Sequence, residues 1–363
     1  MGRVKSDQKQ KSWSEINKTR KEEKRKWKEQ NLVRKMEKQK VKEAPKLEQN
    51  NGRQEEPPTV SIAVPGSILE TAQSPELRAY LSGQIARAAC IFQVDEIVVF
   101  DDFGDEATAK KAELEDNYGL KTMRESCVQL GRILQYMECP QYLRKHFFPI
   151  HNHLKFCGIL NPLNAPHHLS KDEEFEYREG VVLNKPVKPG RGSIVNVGLL
   201  KEVHVDKLLT PGIRCTVKLL PQQESSKKLK GVVVAPSIPK IETGVYWGYT
   251  IRLANSLSKV FSQSPYKDGY DLTIGTSDKG TSIDEFQCPT FKHAIIVFGG
   301  VQGLETALES DNVLNVDDPK FIFDHYLNTL PNQGSKTIRT EEAVLVTLSA
   351  LRPKFNYIVS CAE

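Results

Sequence analysis

Residues 59–100 read "TVSIAV" (59–64), "PELRAYLSGQIARAACIF" (75–92) and "DEIVVF" (95–100), and this alternation decides the fold class. The outer two runs are short, apolar and β-branched, as strands require. Between them Leu77, Leu81, Ile85, Ala88 and Ala89 recur at helical spacing, and Pro75 suits a first helical turn. Strand, helix and strand in that order form a βαβ unit, whose two strands lie parallel in one sheet. Further helices are expected at about 125–138 and 140–147.

The grammar changes after the Pro- and Asn-rich linker "LNPLNAPHH" (160–168). Five short runs follow between 175 and 235: "FEYREGVVL", "SIVNVGL", "EVHVD", "RCTVKLL" and "GVVVAP". No helix of ordinary length separates them, which predicts a small all-β barrel or sandwich. This segment holds 11 Lys/Arg against 5 Asp/Glu, whereas the rest of the chain after residue 58 holds 22 against 31. A basic β insert in an acidic α/β body points to nucleic acid.

Helical and parallel-strand patterns return after 240 with "VYWGYTIRLANSLSKVF" (245–261), "DLTIG" (271–275), "HAIIVFGG" (293–300), "VQGLETAL" (301–308), "FDHYLNTL" (323–330) and "LPNQGSKTIRTEEAVLV" (330–346). Residues 59–165 and 241–363 therefore read as two parts of one α/β domain, interrupted by the insert at 166–240. Residues 1–58 form a tail that carries 18 Lys/Arg against 10 Asp/Glu, leaving 33 against 36 for the remainder. Its segment "KTRKEEKRKWKEQ" (18–30) has few large apolar groups to bury, so a solvated helix or disordered arm is expected. Nuclear localisation, nucleic-acid contact and simple solubilisation are all compatible with it.

Seven cysteines without a CxxC pair suit free thiols in a reducing compartment. The apolar runs are strand-length, well short of the roughly 20 residues that span a bilayer, so a soluble intracellular protein is expected, with no membrane partner.

Three junctions share one design: "LTIGTSDKG" (272–280), "IIVFGGVQG" (295–303) and "YLNTLPNQGSKT" (326–337) each pass from β-rich sequence into small residues and glycine. In an open parallel sheet, ligands bind beyond the carboxyl ends of strands, where glycine allows close backbone approach. The competing reading is that glycine merely turns the chain. "GSKT" lacks the spacing of a Walker A loop and "GGVQG" does not match GxGxxG, which disfavours a nucleoside triphosphate or standard dinucleotide site. His151, His153, Cys157, His167 and His168 cluster in a loop region but fit no zinc-ligand spacing, so packing, capping and surface roles are expected and no metal is assigned. A Gly-x-Ser-x-Gly elbow is missing, which leaves nucleophilic hydrolysis without support.

The residues "GTSDKG" (275–280), "VFGG" (297–300) and "NQGSKTIRTEEA" (332–343) resemble the cofactor-binding loops of SPOUT-class RNA methyltransferases. With "WGYTIRLANSL" (247–257) and "DGYDLTIGTS" (268–277), the resemblance is to a eukaryotic branch also described as centromere-associated, and it covers about 59–363. It implies a Rossmann-like parallel sheet whose C-terminal segment threads a trefoil knot, with an OB-like insert and S-adenosylmethionine bound in the knot. By position in the motifs, Ser277, Gly280, Gly299, Gly300, Asn328, Gly334, Thr337, Ile338 and Thr340 would line the cofactor. Members of the class are homodimers built across helices such as the one expected at 340–351, "TEEAVLVTLSAL", whose apolar residues cover more than one face. Burial of that helix within the monomer is the alternative.

Bacterial relatives with a similar tail methylate N3 of uridine in ribosomal RNA, and that nitrogen must lose a proton as it attacks. A nearby cation favours the anion, so Arg252 and Arg339 are the candidate catalytic or substrate-orienting residues. A structural salt bridge is the other reading of Arg252. Glu341 and Glu342 read as bases or as first-turn acids favoured by the helix dipole, the latter preferred. The function expected on these grounds is S-adenosylmethionine-dependent methylation of large-subunit rRNA at uridine N3, in the nucleus or nucleolus. A kinetochore or mitotic-spindle scaffold and a protein methyltransferase are the alternatives.

Overall fold

A computed structural model of the chain describes residues 57–104, 111–116, 119–187, 192–221, 228–314 and 316–355. The basic tail expected over 1–58 lies outside the described residues, except for its last two positions. Strand β1 (Thr59–Pro65) turns through a short 3-10 helix (Gly66–Thr71) into α1 (Pro75–Ile91), and the chain returns as β2 (Glu96–Phe100). Ser74 caps α1 by accepting a hydrogen bond from Leu77 N at 3.3 Å, and Pro75 opens the first turn. The two strands pair in parallel with Ile62 beside Ile97, as the βαβ pattern requires. An antiparallel pair follows, β3 (Lys111–Asp116) and β4 (Gly119–Arg124), which the sequence pattern did not suggest. Helices α2 (Glu125–Glu138) and α3 (Gln141–Phe147) stand where expected.

Each of the five insert runs becomes one strand: β5 (Tyr177–Val182), β6 (Ile194–Asn196), β7 (Val203–Val205), β8 (Arg214–Leu219) and β9 (Leu229–Val234). They close into a barrel in the order β5-β6-β7-β9-β8, filled by Val182, Val195, Val197, Val203, Val205 and Val217. One guanidinium ties this barrel to the body. Arg214 of β8 binds Glu138 at the end of α2 at 2.6 Å and Glu179 of β5 at 2.7 Å. Glu179 also accepts from Thr216 Oγ1 at 2.6 Å and from Trp247 Nε1 at 2.7 Å, so its buried charge is fully bonded.

After the barrel come α4 (Ile238–Thr243), β10 (Thr250–Ala254), α5 (Leu257–Ser262), β11 (Leu272–Ser282), β12 (His293–Val297), α6 (Leu304–Glu309), β13 (His325–Asn328) and α7 (Thr340–Leu351). The stretch 245–261 thus resolves into a strand and a short helix. Six strands form one sheet in the order β10-β2-β1-β12-β11-β13, with every pairing in it parallel. Helices α1, α2 and α7 cover one face through residues such as Ile85, Leu134 and Leu348, and α5 and α6 cover the other through Val260 and Leu304. Coverage on both faces explains why all five residues of β2 are buried and why its sequence shows no alternation. Strand order runs outward from β1 through β2 on one side and from β12 on the other. The switch point between β1 and β12 is where such sheets open a crevice at their carboxyl ends.

Candidate functional site

The carboxyl ends of β11, β12 and β13 hold the three glycine-bearing junctions. On β11, the pairing with β13 shifts register between Thr276 and Thr281, so residues 277–280 leave the ladder as a bulge above the sheet. Gly280 brings the chain back. A Cβ there would lie 2.4 Å from the Leu327 carbonyl carbon and 2.6 Å from Asn328 N, a contact only glycine permits. Asn328 secures the bulge, its Nδ2 donating to the Asp278 carbonyl at 3.0 Å while its Oδ1 accepts from Leu330 N at 3.1 Å.

After β12, residues 299–303 form a tight turn in which Gly303 N donates to the Gly300 carbonyl at 3.0 Å. A Cβ on Gly299 would meet the Gly303 carbonyl carbon at 2.7 Å. Thr340, at the start of α7, donates Oγ1 to the Gly299 carbonyl at 3.0 Å, so the third loop is pinned to the second. The structure therefore brings Ser277, Gly280, Gly299, Gly300, Asn328 and Thr340 to one end of the sheet. Gly334 and Thr337 are exposed on the loop leading to α7, and Ile338 is half-buried there.

The two arginines fall in different places. Arg339 precedes α7: its backbone N–H donates to Glu342 Oε2 at 3.0 Å, and its guanidinium side chain is 76% exposed. Glu342 thus acts as a helix-capping acid, in line with the dipole reading. Arg252 sits in mid-strand on β10, at the sheet edge opposite β13, and is not brought to the loops. Its guanidinium binds Glu96 at 2.8 Å, the Val260 carbonyl at 2.9 Å and Tyr270 Oη at 3.0 Å. It closes the C-terminal end of α5 and neutralises a buried carboxylate, the structural role weighed above.

A second group of polar residues lies on the other side of Gly300. Ser67 follows β1 and Asp102 follows β2; Ser67 Oγ donates to Asp102 Oδ2 at 2.5 Å. A Cβ on Gly300 would approach Asp102 Oδ2 to 2.9 Å and Ser67 Oγ to 3.2 Å, so three strand ends meet here at the switch point. Burial pushes the Asp102 carboxyl up to about 6, against the Ser67 hydrogen bond that favours its charged form. Next to it, Asp101 pairs with Arg124 at 3.4 Å, and burial raises its carboxyl too. The pair carries no motif, and its one signal in the sequence is "FDD" (100–102) at the end of a buried strand.

The histidines serve as fasteners. His167 and His168 bond the Glu138 carbonyl through Nε2 at 3.0 Å and 2.6 Å, while His151 meets Arg132 at 2.6 Å. Among the described residues, no group of three or more His, Cys, Asp or Glu side chains could hold a metal ion.

A family model described as "Putative RNA methyltransferase" matches residues 59–351. A Drosophila melanogaster protein named 28S rRNA (uridine-N(3))-methyltransferase is 53% identical over 364 residues, covering 97% of this chain and 75% of that protein. Proteins of the same name from Mus musculus and Homo sapiens are 56% and 55% identical over 312 residues, covering 86% of this chain and 80% and 81% of theirs.

Proposed function

Since this chain belongs to the RNA methyltransferase family whose model spans its sheet and barrel, we propose that it methylates N3 of a uridine in large-subunit ribosomal RNA, with S-adenosylmethionine as the donor. The observation that carries this reading is the locking of three glycine-bearing strand ends by Thr340 and Asn328, in a chain more than half identical to enzymes named for that reaction. The residues present suit such a donor. Gly280 and Gly299 pack backbone on backbone, which leaves peptide groups rather than side chains to contact an adenine. Ser277, Asn328, Thr337 and Thr340 add hydroxyl and amide groups for a ribose, and Ile338 an apolar surface, with Gly300 and Gly334 completing the lining.

When bound, the donor supplies an electrophilic methyl group. The chain's own task is then positioning and proton management, since in-line displacement gains most from orientation. Exposed Arg339 is assigned to orienting the RNA. Arg252 is assigned to the fold, where it holds Glu96, Tyr270 and the end of α5. The closed barrel acts as the OB-like RNA holder, its basic side chains meeting phosphates. The return of the chain from β13 past the Gly299 turn into α7 supports threading as a trefoil knot. Leu345 of α7 is 45% exposed, which supports a homodimer that covers it. The proposed rRNA substrate is the ground on which we assign the protein to the nucleus or nucleolus.

Isothermal titration with S-adenosylmethionine tests the donor assignment: Gly300→Trp should abolish binding, and undiminished binding would overturn it. Mapping N3-methyluridine in ribosomal RNA from cells with and without the protein tests the substrate. An unchanged profile would refute the assignment.

A further inference from the structure

The strand ends that hold the donor loops do not account for Asp102. This carboxylate follows β2, is only 2% exposed, and has just one hydrogen-bonded oxygen: Oδ2 accepts from Ser67, while Oδ1 is buried without a partner. Buried polar atoms in native proteins are ordinarily satisfied, so an orphaned carboxylate oxygen at a sheet's switch point marks a place where a ligand hydrogen belongs. Its neighbours are specific. Gly300, one of the residues assigned to the donor, lies against Oδ2, and the turn around it carries glycine at 299, 300 and 303. The absence of side chains at 299 and 300 lets the backbone itself approach the carboxylate.

We propose that Asp102 is the proton acceptor of the reaction, taking the N3 proton of the target uridine, with Ser67 as the residue that positions and tunes it. The role rests on the methyl-transfer reading above. Asp102 Oδ1 takes the proton while the N3 electron pair forms the N–CH3 bond. The S–CH3 bond breaks with its pair remaining on sulfur, so the sulfonium leaves as a neutral thioether. The products are N3-methyluridine, the demethylated donor and protonated Asp102, which returns its proton to water.

Three features fit this task. A carboxyl held near 6 is a stronger base than an ordinary aspartate and is still ionised at neutral pH. Its desolvation removes competing water. Its contact with Gly300, a residue assigned to the donor, sets the carboxylate directly beside the donor loops. The titratable groups around it are Asp101 beside it in the chain, Cys127 on α2 and Arg124 at the end of β4, itself paired with Glu70 on the turn after β1. The 299–303 turn has none.

The test uses the full-length protein, S-adenosylmethionine and an rRNA fragment containing the methylated uridine. Asp102→Asn should bind the donor within threefold of wild type by calorimetry and yet lose about 100-fold or more in single-turnover methyl transfer, the scale of general-base catalysis. Wild-type transfer should rise with pH through a limb near 6. The infrared band of a protonated carboxyl should titrate over the same range and be missing from Asp102→Asn. Ser67→Ala removes a hydrogen bond to the ionised form, so both the limb and the band should move to higher pH. Transfer by Asp102→Asn within threefold of wild type would overturn the proposal, as would a Ser67→Ala limb that stays in place. If wild type methylates this RNA at another atom, the substrate reading fails instead, and the infrared titration still reports whether Asp102 is the raised carboxyl.

Discussion

Thr340 donates its hydroxyl to the carbonyl of Gly299 at 3.0 Å across 41 residues of chain, joining the start of α7 to the glycine turn after β12. Thr340→Val keeps the shape but leaves the Gly299 carbonyl without this donor. The lost bond is worth about 1 kcal/mol. Donor affinity measured by calorimetry should therefore fall roughly fivefold if the bond orders the loop for binding. An unchanged affinity would mean that the loop is held by other contacts.

Two glycines of the same site should behave differently. Gly280→Ala forces a Cβ against the β13 backbone, a clash that backbone atoms relieve poorly. It should destabilise the fold by about 1–3 kcal/mol in denaturant unfolding and abolish donor binding. Gly334→Ala meets no atom within 4 Å and should unfold like wild type, so any loss of donor affinity there reports direct contact.

The clamp between barrel and body predicts a strong effect far from the donor loops. Arg214→Ala leaves Glu138 and Glu179 buried, with the guanidinium that neutralises both removed, which costs about 3–5 kcal/mol. RNA affinity should fall because the barrel loses its fixed seat. Burial alone would raise the Glu138 carboxyl, but the Arg214 charge and the His167 hydrogen bond outweigh it and hold it at about 2. A depressed carboxylate stabilises the fold above its unfolded value near 4.5, and that contribution is lost as pH falls toward 2. Unfolding curves of wild type should weaken over this window, and those of Arg214→Ala should weaken less.

Asp102 has the opposite sign. A carboxyl raised from 3.8 to about 6 favours the folded state when protonated, so its stabilising effect is complete below about 4 and is lost as pH rises through 6. Asp102→Asn removes a buried charge at pH 8 and should raise unfolding stability there by up to about 3 kcal/mol, with little gain at pH 4. Equal stability at both pH values would show that the carboxyl is not raised.

Arg252→Ala should act through the fold. It uncovers Glu96, whose side chain is 3% exposed, and opens the end of α5. A loss of about 3–5 kcal/mol in unfolding stability is expected, with donor affinity kept wherever the protein is folded. Lost donor affinity in a protein of wild-type stability would return Arg252 to the site.

The sequence by itself determined most of the elements, the β3–β4 pair excepted. The βαβ pattern at 59–100, the five runs of the barrel and the helix at Thr340–Leu351 were legible because strand and helix periodicities are local properties of the chain. The glycine-bearing junctions were legible for the same reason: small residues after a strand mark close backbone approach wherever they fall. Tertiary structure alone decided which strand lies beside which, and with that the fate of single side chains. Arg252 in "TIRLANS" reads equally as a site cation or as half of a salt bridge, and it is held by Glu96, 156 positions away in the chain, because β10 pairs with β2. Asp102 carries no motif in the sequence and is buried beside Gly300, because the ends of β1, β2 and β12 meet at one point. Desolvation and charge pairing arise from atoms distant in sequence, and only folding brings those atoms together.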